Sequence, residues 1–148
     1  MKDLECRFTT QEDVLLLAEM NQQLIRDEGH RNKMTLLQLQ ERMLGWLQGD
    51  YTAVIFSKEP EKVGYALYRK ETEWIYLRQL FVKAEARRKG IGREAISWLK
   101  KNAWKGTKPI RIEVLVGNPE GISFWKAVGF KDYCITMEME NFPDIEIV

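Results

Sequence analysis

The sequence is poor in the residues that build metal centres and disulfide frameworks. It has one histidine, His30, and only two cysteines, Cys6 and Cys134, which lie far apart in the chain. Their spacing matches neither a metal-ligand pattern nor a disulfide framework. We therefore expect free thiols in a reducing compartment and no metal site.

Excess charge of either sign and long apolar runs are also missing. The formal net charge is +1, which does not give the strongly basic surface of a nucleic-acid-binding protein. No apolar run is long enough to cross a bilayer, and the first residues, MKDLECRFTT, have no signal-peptide core. We expect a cytoplasmic protein with no nucleic-acid or membrane partner.

The composition that remains is that of a globular protein. The 148 residues are 45% hydrophobic and 30% charged. These values predict a single domain, 1–148, with enough apolar material for a core.

Hydrophobic periodicity predicts an α/β fold of layered type. The predicted elements are β1 at 4–9, α1 at 11–28, α2 at 36–47, β2 at 51–57, β3 at 63–70, β4 at 74–82, α3 at 90–102, β5 at 110–116, α4 within 117–130, and one or two strands, β6 and β7, within 131–140. Short turns make β2, β3 and β4 an antiparallel meander, whereas β5 follows a helix and should run parallel to β4. Gly64 is expected to mark a bulge in β3, and Arg42 on α2 is expected to be solvated.

Local signals support the helix boundaries. Thr10 and Asp13 form a pattern typical of a capping box at the start of α1. Gly29 suits the left-handed position after a helix end, and Thr35 can cap α2.

The stretch 74–101 carries the strongest functional signal. A strand rich in β-branched and aromatic residues leads into three cations, Arg87, Arg88 and Lys89, and then Gly90 and Gly92 open a helix. A helix start has unpaired N–H groups and partial positive charge, and glycines allow a bulky anion to approach the backbone. The stretch therefore predicts a phosphate-binding loop.

The residues 87–92 fit the R/Q-x-x-G-x-G/A signature, and the chain thereby resembles the GNAT superfamily of N-acetyltransferases. The resemblance implies a mixed sheet in which β4 and β5 are parallel and splayed. It also implies a loop whose backbone N–H groups hold the pyrophosphate of acetyl-CoA. The residues implied in cofactor binding here are Arg87, Arg88, Lys89, Gly90, Ile91, Gly92 and Arg93. A side chain at Gly92 is expected to block the pyrophosphate and abolish binding without changing the fold.

A second motif follows β5. Asn118, Gly121 and Gly129–Phe130 fit the family pattern N-x-x-A-x-x-x-Y-x-x-x-G-F, with glycine in place of the small alanine. The resemblance implies that Asn118 contacts the pantetheine arm, while an N-cap of α4 is the alternative role.

Trp125 stands where many members of the family have tyrosine. In those members the tyrosine hydroxyl is thought to protonate the departing thiolate. An indole N–H is not an acid in this range. Trp125 is therefore expected either to line the pocket near the thioester or to pack in the core. This departure keeps open a non-catalytic alternative, in which the domain binds CoA or a protein partner.

The resemblance implies direct transfer of an acetyl group to a primary amine. Leu80, Phe81 and Val82 on β4 are the positions whose backbone would polarise the thioester carbonyl and pair with the pantetheine amides. Tyr76 and Glu28 are the candidates we favour for the proton acceptor, and Glu113 and His30 are further candidates. Glu113 could instead pair with Arg78 or Arg111.

The glycine loop has three alternative interpretations. Residues 90–95 also satisfy G-x-G-x-x-G/A, and Glu113 lies about 20 residues further on, as in dinucleotide-binding proteins. However, seven residues separate Val82 from Gly90, and an antiparallel meander precedes the loop. A P-loop is excluded, since G-x-x-x-x-G-K-S/T does not occur. A charged turn without a ligand is the remaining alternative.

The sequence leaves the acceptor open. An acidic pocket would favour polyamines or aminoglycosides, and a mixed groove would favour a peptide N-terminus or a lysine. The expected partner is thus a small-molecule or peptide amine. A homodimer is implied by the family alone.

Overall fold

The fold is built on a five-stranded sheet with the order β1-β2-β3-β4-β5. The computed structural model describes residues 3–141, so the first two and the last seven residues of the predicted domain lie outside this range. The elements are β1 (Glu5–Phe8), α1 (Val14–Glu28), α2 (Leu36–Gln48), β2 (Tyr51–Lys58), β3 (Glu61–Lys70), β4 (Ile75–Val82), α3 (Ile91–Asn102), β5 (Ile110–Arg111) and α4 (Pro119–Ala127).

The strand directions confirm the predicted mixed sheet. β1 to β4 are antiparallel neighbours, and β5 is parallel to β4. Only two residue pairs join β4 to β5, Ile75 with Ile110 and Tyr76 with Arg111. β4 continues to Val82, so among residues 3–141 its second half has β3 on one side and no strand on the other. The two parallel strands are therefore splayed.

Helices cover both faces of the sheet. One apolar cluster joins α1 and α2 to the face of β2 that carries Ala53 and Ile55. The other joins α3 to the face with Val54 and Phe56. Because both faces are covered, the centre of β2 is apolar without alternation.

The helix boundaries follow the predicted local signals. Thr10 and Asp13 form a capping box at a 3₁₀ turn that precedes α1. Thr35 forms a second box with Gln38 at the start of α2. Gly29 ends α1 with φ +66°, a left-handed conformation that glycine adopts without strain.

Gly64 lies where two strands approach too closely for a side chain. The pairing of β3 with β2 shifts at this point, because Gly64 pairs with Phe56 but Lys62 pairs with Ser57. A Cβ atom on Gly64 would lie 2.0 Å from the carbonyl oxygen of Phe81 on β4. The bulge and the close approach together explain the glycine.

The predictions for the C-terminal strands were wrong. β5 was expected to cover 110–116 but ends at Arg111, and residues 131–140 form no strand. Instead, the alternating apolar side chains of this segment, Tyr133, Ile135, Met137 and Met139, are 77–93% exposed. A strand forms by hydrogen bonding to the edge of a neighbouring strand. Because β5 ends where it diverges from β4, it gives residues 131–140 no such edge. The alternation therefore indicates strand propensity, but residues 131–140 have no strand partner within residues 3–141.

The longest helix of the described chain, α1, has 15 residues. A helix that spans a bilayer needs about 20, and no helix between residues 3 and 141 combines the length and apolarity for such a span.

Candidate active site

The loop between β4 and α3 has the backbone of an anion-binding site. A 3₁₀ turn, Ala84–Ala86, follows β4, and α3 starts at Ile91. Arg88 and Gly90 both have left-handed backbones, with φ +62° and +79°. Such alternation turns successive N–H groups toward one point, as in the nests that bind phosphate.

The amides of this loop have no acceptor in the part of the chain that the structure describes. Among residues 3–141, the N–H groups of residues 88–93 form no hydrogen bond, and the ladder of α3 begins with Glu94 donating to the Gly90 carbonyl at 3.0 Å. Six consecutive donors, two exposed cations and a helix N-terminus therefore converge at one place.

The four loop cations fall into two pairs. The Arg87 Nε donates to the Val82 carbonyl at 2.8 Å, and its guanidinium forms an ion pair with Asp27 at the end of α1. Arg93 donates to the Ala127 carbonyl at 3.3 Å. Arg87 and Arg93 therefore hold the loop to α1 and α4. The second pair, Arg88 and Lys89, is exposed and has no hydrogen-bonding or ionic partner among the described residues.

Gly92 has a packing role that sequence reasoning missed. A Cβ atom at this position would lie 2.8 Å from the ring of Phe124 on α4. A substitution at Gly92 would therefore disturb the contact of α3 with α4, contrary to the expectation that it would leave the fold unchanged. A Cβ at Gly90 meets nothing within 4 Å, although its left-handed backbone disfavours a side chain there.

The free edge of β4 runs toward this loop. Leu80, Phe81 and Val82 lie beyond the last pairing with β5, and their side chains pack into the two apolar clusters. Backbone groups on the β5 side of these residues are therefore what the strand can offer to a ligand.

Tyr76 and Glu113 form a pair where the two strands part. The Tyr76 hydroxyl donates to Glu113 Oε1 at 2.6 Å. Burial, followed by this hydrogen bond and the charge of Glu113, raises the pKa of Tyr76 well above its ordinary value. Tyr76 is thus held protonated as a donor, which leaves Glu113 as the proton acceptor of the pair. The alternative pair of Glu113 with Arg111 is not formed among the described residues, because Arg111 contacts the rings of Trp74 and Tyr133.

Glu28 and His30 form a second pair at the end of α1. The His30 Nε2 and Glu28 Oε2 atoms are 2.9 Å apart. The neighbouring Asp27 carries the ion pair to Arg87, so this helix end adjoins the glycine loop.

The second motif forms the compact helix α4. The Asn118 side chain accepts a hydrogen bond from the Gly121 N–H at 3.1 Å and so caps the helix. A Cβ at Gly121 would lie 2.4 Å from the Asn118 amide nitrogen, which explains glycine here. Trp125 is half-buried between Phe124 and Phe130, with ring centroids 5.0 and 5.1 Å away.

A group of arginines and aromatic rings was missed by sequence reasoning. Arg42, expected to be solvated, is half-buried with its guanidinium 4.5 Å from the centre of the Trp46 ring. Arg78 on β4 lies 4.7 Å from the same ring. The i, i+4 spacing of Arg42 and Trp46 on α2 was an available signal for the first contact. The contact of Arg78 with Trp46 had no such signal, because only the folded chain brings β4 to this ring.

A cavity of about 360 Å³ lies away from all of these residues. It is lined by residues at the end of β1, at the start of β2 and at the ends of β3 and α3, including Phe8, Tyr68 and Asn102. The glycine loop is at the opposite end of α3, so this cavity does not contribute to the site.

Residues 16–130 match the family model described as the acetyltransferase (GNAT) family. The chain belongs to this family, whose splayed sheet and glycine loop it shares. A search of the curated proteins found no match.

Solved structures of acetyltransferases have the same fold. A possible acetyltransferase from Clostridium difficile 630 shares 16% identity with a TM-score of 0.76, over 95% of this chain and 99% of that chain. Aminoglycoside N-acetyltransferase AAC(6')-Iy, solved in complex with CoA, shares 13% identity with a TM-score of 0.77, over 95% and 96%. An aminoglycoside acetyltransferase from an uncultured soil metagenomic sample, solved with trehalose, shares 13% identity with a TM-score of 0.72, over 95% and 97%.

Proposed function

We propose that this protein transfers the acetyl group of acetyl-CoA directly to a primary amine. The observation that carries the proposal is the row of six unpaired amides at residues 88–93. They lead into the start of α3, and a 3₁₀ turn separates them from the free edge of β4. A pyrophosphate is the group that such a row of donors fits.

The proposed cofactor contacts follow from the partners already described. The amides of Arg88 to Arg93 bind the pyrophosphate, and the side chains of Arg88 and Lys89 neutralise it. Arg87 and Arg93 position the loop through Asp27 and Ala127. The free backbone edge of residues 80–82 pairs with the pantetheine arm. On the other side of this arm lie the ring of Trp125 and the amide nitrogen of Asn118, which has no hydrogen-bond partner among the described residues.

The CoA-bound neighbour supports this choice of co-substrate. AAC(6')-Iy was solved in complex with CoA, and its fold covers 95% of this chain. At 13% identity the likeness does not transfer its acceptor.

The chemistry requires a proton acceptor beside the splayed strands. The amine nitrogen attacks the thioester carbonyl, a C–N bond forms, the C–S bond breaks, the amine loses a proton and the thiolate gains one. We propose that Glu113 accepts the amine proton, directly or through water, and that Tyr76 positions its carboxylate. Glu28, paired with His30, is the second candidate acceptor.

Trp125 favours a second function, that of a CoA-binding module without catalysis. Its ring packs between Phe124 and Phe130, and it puts no hydroxyl at the position where many family members have one. This function predicts CoA binding without thiol release.

The test is an assay of thiol release from acetyl-CoA with a panel of primary amines, with the acetylated product identified by mass. We expect Glu113→Gln to lower kcat by about 100-fold, with KM for acetyl-CoA unchanged. Tyr76→Phe should have a smaller effect of the same kind. Glu19→Gln, an exposed change on α1, is the control.

The outcomes separate the candidates. A kcat loss in Glu28→Gln rather than Glu113→Gln would move the proton acceptor to α1. Tight CoA binding with no thiol release in the presence of any amine would contradict transfer and support the binding module.

A further inference from the structure

Two arginines, one on α2 and one on β4, contact the same aromatic ring. The guanidinium carbons of Arg42 and Arg78 lie 4.5 and 4.7 Å from the centre of the Trp46 ring, within the range of a cation–π contact. The two positive charges are therefore held near each other by a shared neighbour.

Neither charge is balanced by a carboxylate of the described residues. No ion pair of the described residues includes Arg42 or Arg78. Arg42 donates to the Asn21 amide oxygen at 3.1 Å, and Arg78 to the Tyr51 hydroxyl at 3.3 Å. The Arg42 Nε atom is buried and has no hydrogen-bond partner within residues 3–141. An unpaired buried donor is costly, so Arg42 is held in this position at a cost in stability.

The electrostatic environment of Arg42 is also positive. Burial, and then the positive charge of Arg78, lower the pKa of Arg42. The field beside Trp46 therefore opposes a further cation. Arg69 on β3 gives a contrast, because it contacts the Tyr51 and Tyr76 rings but is paired with Glu71.

The two arginines adjoin the place where the thioester is proposed to lie. Leu77 pairs with Tyr68 and Gln79 with Leu67, so Arg78 is the extra residue of a bulge in β4. A bulge changes the direction of a side chain relative to its neighbours. Arg78 is two residues from Leu80, roughly 7 Å along the strand. One small molecule can therefore reach both places.

We infer that the acceptor is a small amine that also carries an anionic group, a carboxylate or a phosphate, and that Arg42 and Arg78 bind this group beside Trp46. The inference rests on the proposed acetyl transfer. Guanidinium groups suit oxyanions because they donate paired hydrogen bonds in one plane. A polycationic acceptor would bring a second ammonium against two unbalanced arginines.

The test compares acceptors that differ only in the anionic group. Amino acids are assayed against their C-terminal amides, phosphoethanolamine against ethanolamine, and spermidine serves as a polycation. We expect kcat/KM for one acidic series to exceed that of its neutral partner by at least about tenfold, as for a lost charged hydrogen bond. The series that shows the preference identifies the anion.

Arg78→Gln is the main variant, because Arg78 is exposed and its replacement leaves the core intact. We expect it to remove the acid preference by raising KM for the acceptor, with KM for acetyl-CoA unchanged. Arg42→Gln should act in the same direction. Arg26→Gln, an exposed arginine on α1, is the matched control and should keep the preference.

Equal or faster turnover of the amides, ethanolamine or spermidine would overturn the inference and leave the proposed function standing. An acid preference that survives in Arg78→Gln would also overturn it. Transfer to other amines but to no acidic member of the set would also overturn the inference and leave the proposed function standing. No transfer to any primary amine would overturn both.

Discussion

At the scale of single residues, Gly64 is the glycine that tolerates a side chain least. Replacing it with alanine puts a methyl group 2.0 Å from a backbone oxygen of β4, and a backbone atom cannot move aside as a side-chain end can. We expect Gly64→Ala to lower the free energy of unfolding by about 2–3 kcal/mol or more, the cost of overpacking. Urea denaturation measures this change.

Gly45 is the matched control for that variant. It is an exposed glycine inside α2, and a Cβ there meets nothing within 4 Å. Gly45→Ala should raise the free energy of unfolding by about 0.5–1 kcal/mol, because alanine has the higher helix propensity. Similar effects at both positions would contradict the close approach of β3 and β4.

Tyr65 predicts a dependence of stability on alkaline pH. It is fully buried, its hydroxyl donates to Gln79 Oε1 at 2.7 Å, and burial raises its pKa well above its ordinary value. Below about pH 10 both folded and unfolded chains keep this proton. Above it only the unfolded chain loses the proton, so the free energy of unfolding should fall by up to about 1.4 kcal/mol per pH unit.

Tyr65→Phe isolates this contribution, since all other titrating groups are common to both chains. Unfolding in urea at about pH 9, 10 and 11 should give a shallower fall for Tyr65→Phe than for the wild type. Parallel slopes would show that Tyr65 ionises equally in the folded and unfolded chains.

At the scale of elements, short-range signals predicted the structure and long-range pairing did not follow from them. The capping residues Thr10 and Thr35 act within one turn of their helices, and their effect does not depend on the rest of the fold. The pattern of 131–140 is equally clear, yet a strand forms only beside an edge. The early divergence of β5 at Arg111 removes that edge, and no local pattern encodes it.

The candidate site also has features that local sequence predicts and features that only the fold creates. The glycine loop was predictable, because its amides and cations are consecutive in the chain. Two features needed the fold: the engagement of Arg87 with Asp27, and the meeting of Arg42 with Arg78 beside Trp46. Each joins residues that are more than 30 positions apart.

The loop predicts different roles for its cations. Arg88→Ala and Lys89→Ala should each weaken acetyl-CoA binding by about tenfold at low salt, since each removes a charged contact to phosphate. Asp27→Asn should change the affinity by less than about threefold, because an exposed pair contributes little. Titration calorimetry at two salt concentrations measures both effects.

A larger loss in Asp27→Asn than in Arg88→Ala or Lys89→Ala would contradict this division. It would mean that the docking of α1 on the loop controls binding more than the free cations do.

At the scale of the whole molecule, the apolar side chains of 131–140 are exposed, and another surface is needed to bury them. We propose that a second copy of the chain provides it and that the protein is a homodimer. The two-residue alternation gives this segment one apolar face, with Ile135 and Met137 at its centre. Residues 112–116 also lack a strand partner among the described residues. Pairing between copies would satisfy both segments.

Sedimentation at micromolar concentration tests the dimer. We expect twice the 17.5 kDa mass of the chain for the wild type and the monomer mass for Ile135→Asp with Met137→Asp. Leu37→Asp, at an exposed leucine on α2, is the control and should remain dimeric. A monomeric wild type would contradict the proposal.

The central claim is that the amides of residues 88–93 bind the pyrophosphate of CoA. An NMR titration that follows the backbone N–H signals of the ¹⁵N-labelled protein tests it most directly. With added CoA we expect the largest shifts at residues 88–93, because unpaired donors become hydrogen-bonded. Residues 5–8 of β1 should remain unchanged, and NAD should have no comparable effect. Binding of CoA with no shift at 88–93, or the same shifts with NAD, would contradict the account.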